Sequence, residues 1–258
     1  MKNLLRLLLW SSVLTAVTHG QPNTVITLAR TFLGGENALN ALNGVRFTGT
    51  ITTVDYDAAG EVADTSEAEP IVIVFRKDYQ QRISVDSPNR KETTALDGYD
   101  AWQRSTNPAD ETQWRVSLLN ADQIKRLRAN TWENLNFFRG IEERGGWVTD
   151  EGRVEVEGEA FHKLAFHHDN RIVFYRYFNP TTGRLAYTET DAGAIIREEG
   201  QQRAGGIRFP ESVITLSPLF NTNGERVGTR AITVTFSNIE VNPTLPADYF
   251  RIPAMTAQ

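Results

Sequence analysis

Hydrophobic residues recur along this chain at two periods, and the change between them divides it. Val25, Leu28, Ala29 and Phe32 fall at i, i+3, i+4 and i+7, which predicts a helix stopped by Gly34-Gly35. Ala38, Leu39 and Leu42 continue that spacing to a second stop at Asn43-Gly44. From Val45 the period becomes two. Phe47, Gly49, Ile51 and Thr53 alternate with Arg46, Thr48, Thr50 and Thr52, the signature of a half-buried strand. Asp57 to Gly60 is a turn, and the acidic stretch from Glu61 to Glu69 reads as a long exposed hairpin tip. Strands are predicted over 71–75 and 82–86, and over 91–96 and 99–104 around the hairpin signal Asp97-Gly98.

The helical period returns once. Asn120 with Gln123 fits a capping box. Ile124, Leu127, Thr131, Trp132, Leu135 and Phe138 then share one stripe, while Arg126 and Phe137 point elsewhere, and Arg139-Gly140 marks the expected end. Beyond Trp147 the chain reads as strand and turn: 153–156, 161–167, 171–178, 185–190, 194–198, 207–216 and 230–241. These make about eleven strands joined by short turns, so the sheet is expected to be antiparallel. The predicted fold is mainly β (α+β): one large curved antiparallel sheet in one domain over 21–258, with helices covering its apolar face. Helices fill a concave sheet less completely than a second sheet does, which leaves room for an apolar ligand.

Composition narrows the function classes. The chain has 258 residues, 40% of them hydrophobic, with 27 basic and 32 acidic side chains and no cysteine. Disulfides, thiolate metal sites and cysteine nucleophiles are excluded, and no basic excess draws in nucleic acid. Residues 1–20 look like a cleavable secretory leader. Lys2 and Arg6 precede the apolar run Leu7 to Val17, and Thr18-His19-Gly20 supplies small residues before the cut. That run is too short to span a bilayer, so no integral membrane segment is expected after cleavage. Losing Lys2 and Arg6 brings the net charge from −5 to −7. The expected compartment is the periplasm.

Chemistry is sparse. His162, His167, His168 and Asp169 are the one histidine cluster, and alternation puts His167 and His168 on opposite faces of a strand. They are read as solvated turn residues, with no metal. Asp55 to Gly60 resembles the start of a calcium loop, but its twelfth position is Ser66, where a bidentate Glu is required. H-E-x-x-H, G-x-S-x-G, P-loop and G-x-G-x-x-G motifs are missing. No catalytic residue and no cofactor is assigned. Trp102, Trp114, Trp132 and Trp147 could line a groove, though packing explains them better. Lys125, Arg126 and Arg128 are read as a solvated helix face.

The order of the turn motifs resembles a known family. Leu33 to Leu39 (LGGENAL) is followed by Phe47-Thr48-Gly49-Thr50 and by the hairpin Leu96 to Trp102 (LDGYDAW). Then come Tyr177 to Leu185 (YFNPTTGRL), Gly206 to Pro210 (GIRFP), Val241-Asn242, and Tyr249 to Pro253 (YFRIP). Together these resemble the outer-membrane lipoprotein-sorting (LolA-like) superfamily of periplasmic lipoprotein carriers and lipid-binding relatives. The resemblance implies an unclosed half-barrel with helices plugging its concave face, which binds acyl chains without catalysis. Relatives of this shape also sense envelope stress. The chain departs from a minimal carrier in its acidic 61–69 hairpin and in an extended loop over 219–228.

Three functions follow, in order. The first is a non-catalytic periplasmic carrier whose partners are acyl chains of lipoproteins or lipids. Its lid would be Ile124, Leu127, Trp132, Leu135 and Phe138, and its floor Val234 and Phe236, with Phe75 and Trp102 as weaker floor positions. The second is a sensory module with a packed core and envelope protein partners. The third is a hydrolase using a pair of carboxylates.

Overall fold

The structure is a computed structural model that describes residues 22–253; the leader assigned to 1–20 lies outside the described residues. Helices α1 (Pro22–Leu33) and α2 (Glu36–Asn40) open the chain. A run of strands follows: β1 (Gly44–Asp57), β2 (Val62–Thr65), β3 (Glu69–Arg76), β4 (Gln80–Asp86), β5 (Lys91–Asp97), β6 (Asp100–Asn107) and β7 (Asp110–Leu118). Helix α3 (Ala121–Leu135) then leads to β8 (Trp147–Val156), β9 (Glu159–Asp169), β10 (Ile172–Phe178), β11 (Leu185–Thr190) and β12 (Ile195–Glu199). The last strands are β13 (Gln202–Ala204), β14 (Ile207–Phe209), β15 (Ser212–Phe220) and β16 (Arg226–Val241).

Fourteen of these strands form one antiparallel sheet in the order β7-β6-β5-β4-β3-β1-β16-β15-β12-β11-β10-β9-β8, with β2 beside β1. The chain meanders outward from β1 to one edge at β7. It crosses to the opposite edge at β8 and meanders back until β16 pairs with β1. Helix α3 makes that crossing, so a single connection between the two edges lays it across one face of the sheet. The sheet is not closed, because β7 and β8 do not pair. This is the unclosed, helix-covered sheet the sequence predicts.

The structure adds two exposed strands to those expected from the sequence. Strand β7 is mostly exposed although Trp114, Val116 and Leu118 alternate along it, and β2 is exposed throughout with no two-residue hydrophobic period. Residues 207–216 form two strands rather than one, because Pro210 breaks the ladder. Strand β14 pairs with β13 in a separate ribbon, and β15 returns to the main sheet. The extended loop expected over 219–228 is a tight hairpin turn, with Phe220 paired to Arg226.

Helix α3 begins as predicted. The Asn120 side chain accepts the Gln123 amide N–H, and the Gln123 side chain accepts the Asn120 N–H. It ends one turn earlier than expected, at Leu135. Phe137 (φ 46) and Phe138 (φ 73) are both left-handed, a strained conformation for bulky residues. The turn sends their rings to different places. Phe137 joins a core cluster with Leu39, Val45, Phe47, Phe75 and Leu135. Phe138 joins a second with Ile26, Trp132, Leu164, Phe166 and Phe178. Gly49 marks another backbone constraint: a Cβ there would collide with the Thr235 carbonyl oxygen at the bulge in the β1–β16 pairing.

Arg30 of α1 fastens this turn. It is 3% exposed, yet every donor has a partner. Nη1 donates to the Asn136 and Phe137 carbonyls at 3.0 and 3.1 Å. Nε and Nη2 grip Glu36 at 2.7 and 2.8 Å, and Nη2 also reaches Asn40 at 3.0 Å. A cation thus caps the carboxyl end of α3. Hydrogen bonding from Arg30 lowers the Glu36 pKa. A lowered carboxyl stabilises the fold above its unfolded pKa, and that stability is lost as pH falls through the lowered value. Lysine has no planar fork, so Arg30→Lys is expected to cost about 1.5–3 kcal/mol. Urea titrations from pH 3 to 7 should also show a shallower acid slope in the variant.

Candidate functional site: a cavity between the sheet and helix α3

Strand parity decides what faces α3. Gln81 of β4 accepts hydrogen bonds from Asn130 and Thr131 of α3 at 3.1 and 3.2 Å, so Gln81 and Ile83 are on the covered side. Register carries that side through Phe75, Ile73 and Phe47 to Val234 and Phe236, then to Val213 and Thr215. It continues through Ile196 and Glu198 to Thr188, Arg176 and Phe174.

Between this face and α3 lies a cavity of about 310 Å³. Ligand pockets typically measure about 300–1,000 Å³. Its apolar wall is Phe47, Ile73, Phe75, Ile83, Val213, Val234 and Phe236, with Phe32 and Leu33 of α1 and Phe137 and Phe138 beyond α3. Phe47 anchors that wall, with ring centroids 4.7 Å from Phe236 and 5.6 Å from Phe209. The other wall is polar: Glu133, Arg176, Thr188 and Glu198.

Two acids on the polar wall differ in their surroundings. Glu133 of α3 is buried and doubly engaged. One oxygen lies 2.6 Å from His168 Nε2 and the other accepts a short hydrogen bond from Arg176 Nη2. The Arg176 guanidinium in turn sits 4.6 Å from the centre of the Phe138 ring. Glu198 of β12 carries no side-chain hydrogen bond or ion pair to any described residue. Its side chain is exposed to solvent where it lines the cavity. The charges of Arg176 and Arg184 are nearby.

The proposed lid and floor residues are distributed unevenly. Phe75, Phe138, Val234 and Phe236 line the cavity. Trp132 and Leu135 are core residues that border a separate polar pocket of about 360 Å³ with Arg30, Lys77 and Arg139. Ile124 and Leu127 are half-buried on the first half of α3, outside the cavity walls. Trp102 is on the opposite face of the sheet. It shares a row with Arg82 and Ala95, while Gln81, Leu96 and Ala101 share the covered row. The polar wall was invisible in sequence, because Glu133, Arg176 and Glu198 meet only through strand register.

The histidines are not a solvated turn. Strand β9 extends through them. His162 is buried 2.7 Å from Asp150, and His168 is buried against Glu133. His167, on the other face, stacks on Trp147 at 4.8 Å. The basic stretch on α3 is not uniformly solvated either. Arg126 pairs with Asp191 at 2.9 Å. Arg128 lies between the Tyr79 and Tyr99 rings at 3.9 and 4.0 Å, tying the helix to the β5–β6 hairpin.

No family model matches the chain, and no curated protein matches it. Among solved structures, a DUF1329 family protein from Desulfovibrio piger is similar over 89% of this chain and 96% of its own, with a TM-score of 0.53 and 12% identity. That likeness is one of fold. Mycobacterium tuberculosis lipoprotein LppX matches over 88% of this chain and 99% of its own, with TM-score 0.27 and 9% identity. The Pseudomonas aeruginosa MucA/MucB complex matches over 85% of this chain and 99% of the matched chain, with TM-score 0.22 and 10% identity. Among the described residues no helix is long and apolar enough to cross a membrane.

Proposed function

We propose that this protein is a non-catalytic binding protein of the cell envelope, exported by residues 1–20 to the periplasm, that holds an acyl chain of a lipid or lipoprotein in the cavity under α3. The observation that carries this reading is the apolar wall, which faces about 310 Å³ of space that no described side chain fills. Each buried CH₂ gains about 0.8 kcal/mol, so about ten methylenes reach the roughly 8 kcal/mol of micromolar binding. A sensory module with a packed core would need that space filled. A hydrolase would need two working carboxyls, but Glu133 is already held by Arg176 and His168.

The test is native mass spectrometry of the exported protein, followed by uptake of a fluorescent fatty acid after delipidation. A co-purified acyl species is expected. Uptake should fall at least about tenfold in Val234→Glu, since a charge facing an apolar chain has to be desolvated. Val213→Phe, which fills space without adding charge, should weaken uptake as well. A folded wild type that carries no lipid and refuses the probe overturns the reading.

A further inference from the structure

We infer that the cavity's occupant carries an oxyanion, a carboxylate or a phosphate, at its head, and that Arg184 and Arg208 receive this head at the cavity mouth. The inference deepens the acyl-binding reading and rests on it.

The position of the mouth is the first argument. Most of the lining is buried or half-buried, and its exposed members are Arg184, Glu198, Gly200 and Gln201. These gather where α1 meets the turn before β11 and the β13–β14 ribbon. Gly183 lies so close to α1 that a Cβ on it would collide with the Leu28 and Ala29 backbone. The Arg208 guanidinium sits 5.0 Å from the centre of the Phe32 ring, about one turn further along the same helix. An acyl chain lying along the apolar wall would leave its polar end here.

Open donors are the second. Arg208 Nη1 donates to Gln201 Oε1 at 3.0 Å. Its Nε is shielded from water and meets no acceptor, and Nη2 has none among the described residues. Arg30 and Arg230 use that same edge, Nε with Nη2, to grip the carboxylates of Glu36 and Asp55. On Arg208 the edge that elsewhere holds a carboxylate has nothing to hold. Arg184 is exposed and has no side-chain partner among the described residues, so it too is free to meet a head.

Charge sets the sign of the head. The ionic side chains lining the cavity are Arg176, Arg184, Arg208, Glu133 and Glu198. Arg176 and Glu133 hold each other, so Arg184 and Arg208 face Glu198 with one positive charge in surplus. Register adds another, because Arg203 is directly opposite Arg208 in the ribbon. Side chains directly opposite on antiparallel strands share a face, and like charges there repel. An oxyanion relieves that repulsion and forms charge-assisted hydrogen bonds with guanidinium groups. An ammonium would add to it.

Four twelve-carbon ligands test this with the delipidated mature protein at pH 7.5: dodecanoate, dodecyl phosphate, dodecylamine and 1-monododecanoylglycerol, each below its micellar concentration. Affinities come from displacement of the fluorescent probe, whose own affinity is measured for each variant. The two anions should bind about tenfold or more tighter than the amine, the worth of a hydrogen bond to a charged group, with the neutral ester between. The order of the two anions distinguishes a carboxylate from a phosphate head. Arg184→Gln and Arg208→Gln should each reduce the advantage of the anions, and together they should bring all four affinities within about threefold. Lys125→Gln removes the same charge from an exposed position on α3 outside the cavity walls, and should leave the ranking as in wild type. Equal binding of all four by wild type, tightest binding of the amine, or an unchanged ranking in the double variant overturns the inference while leaving acyl binding intact. Failure of all four to bind overturns both.

Discussion

Glu133→Ala is expected to lower stability by about 3–5 kcal/mol, the usual result of removing one member of a buried ion pair. For a domain of this size that is a fall in Tm of about 6–20 °C. The reason is what the substitution leaves behind. Arg176 is 7% exposed and donates to Glu133, and its Nε already has no partner. His168 Nε2 would lose its contact too. A guanidinium would then remain buried between Phe138 and Phe166 without its hydrogen-bonded counter-charge. Because Glu133 is on α3 and Arg176 on β10, the pair also joins the crossing helix to the far half of the sheet. Calorimetry measures the loss. A double-mutant cycle with Glu133→Leu and Arg176→Met isolates the coupling, and the double variant should be far closer to wild type than either single one. A Tm within about 2 °C of wild type for Glu133→Ala would show that the pair contributes nothing net.

The second large effect comes from the opposite face of the sheet. Trp102→Ala should cost about 3–5 kcal/mol, the range for emptying a buried aromatic site. Trp102 is 1% exposed, covered by the C-terminal segment that carries Phe250. Its Nε1 donates to the Phe250 carbonyl at 3.0 Å, and the Arg82 guanidinium contributes a bond to the Tyr249 carbonyl at 2.8 Å. Truncation therefore leaves a hole and releases the strap at Tyr249 and Phe250. At temperatures where the variant is still folded, uptake of the fluorescent fatty acid should match wild type, because this ring never reaches the cavity. A selective loss of uptake with stability retained would place Trp102 in the ligand's path and contradict the register.

How much of this was legible in the sequence depended on how local the cause was. The capping box at Asn120 and Gln123 needs only four residues, and it formed as read. The Asp97-Gly98 hairpin is likewise local, and β5 and β6 flank it. Strand β7 was missed although Trp114, Val116 and Leu118 alternate along it; it lies at the sheet edge and stays mostly exposed. The end of α3 was misplaced because its stripe continues to Phe138. The helix stops where Arg30, over a hundred residues earlier, captures the Asn136 and Phe137 carbonyls.

The site divided in the same way. Val234 and Phe236 alternate within one strand, and that alternation put them together on the cavity wall. Trp102 looked like their equivalent, but the side of a sheet that a strand presents depends on its pairing register, and one residue of register reverses it. The hydrophobic pattern of this chain determined by itself that there would be a large antiparallel sheet, two opening helices and one crossing helix, because those periods are set by backbone geometry. Only the tertiary structure decided which face α3 covers, that Glu133, Arg176 and His168 meet there, and that Glu198 shares the cavity lining with Arg184 and Arg208. Those outcomes depend on contacts between residues far apart in sequence, whose register is fixed only when the whole sheet assembles.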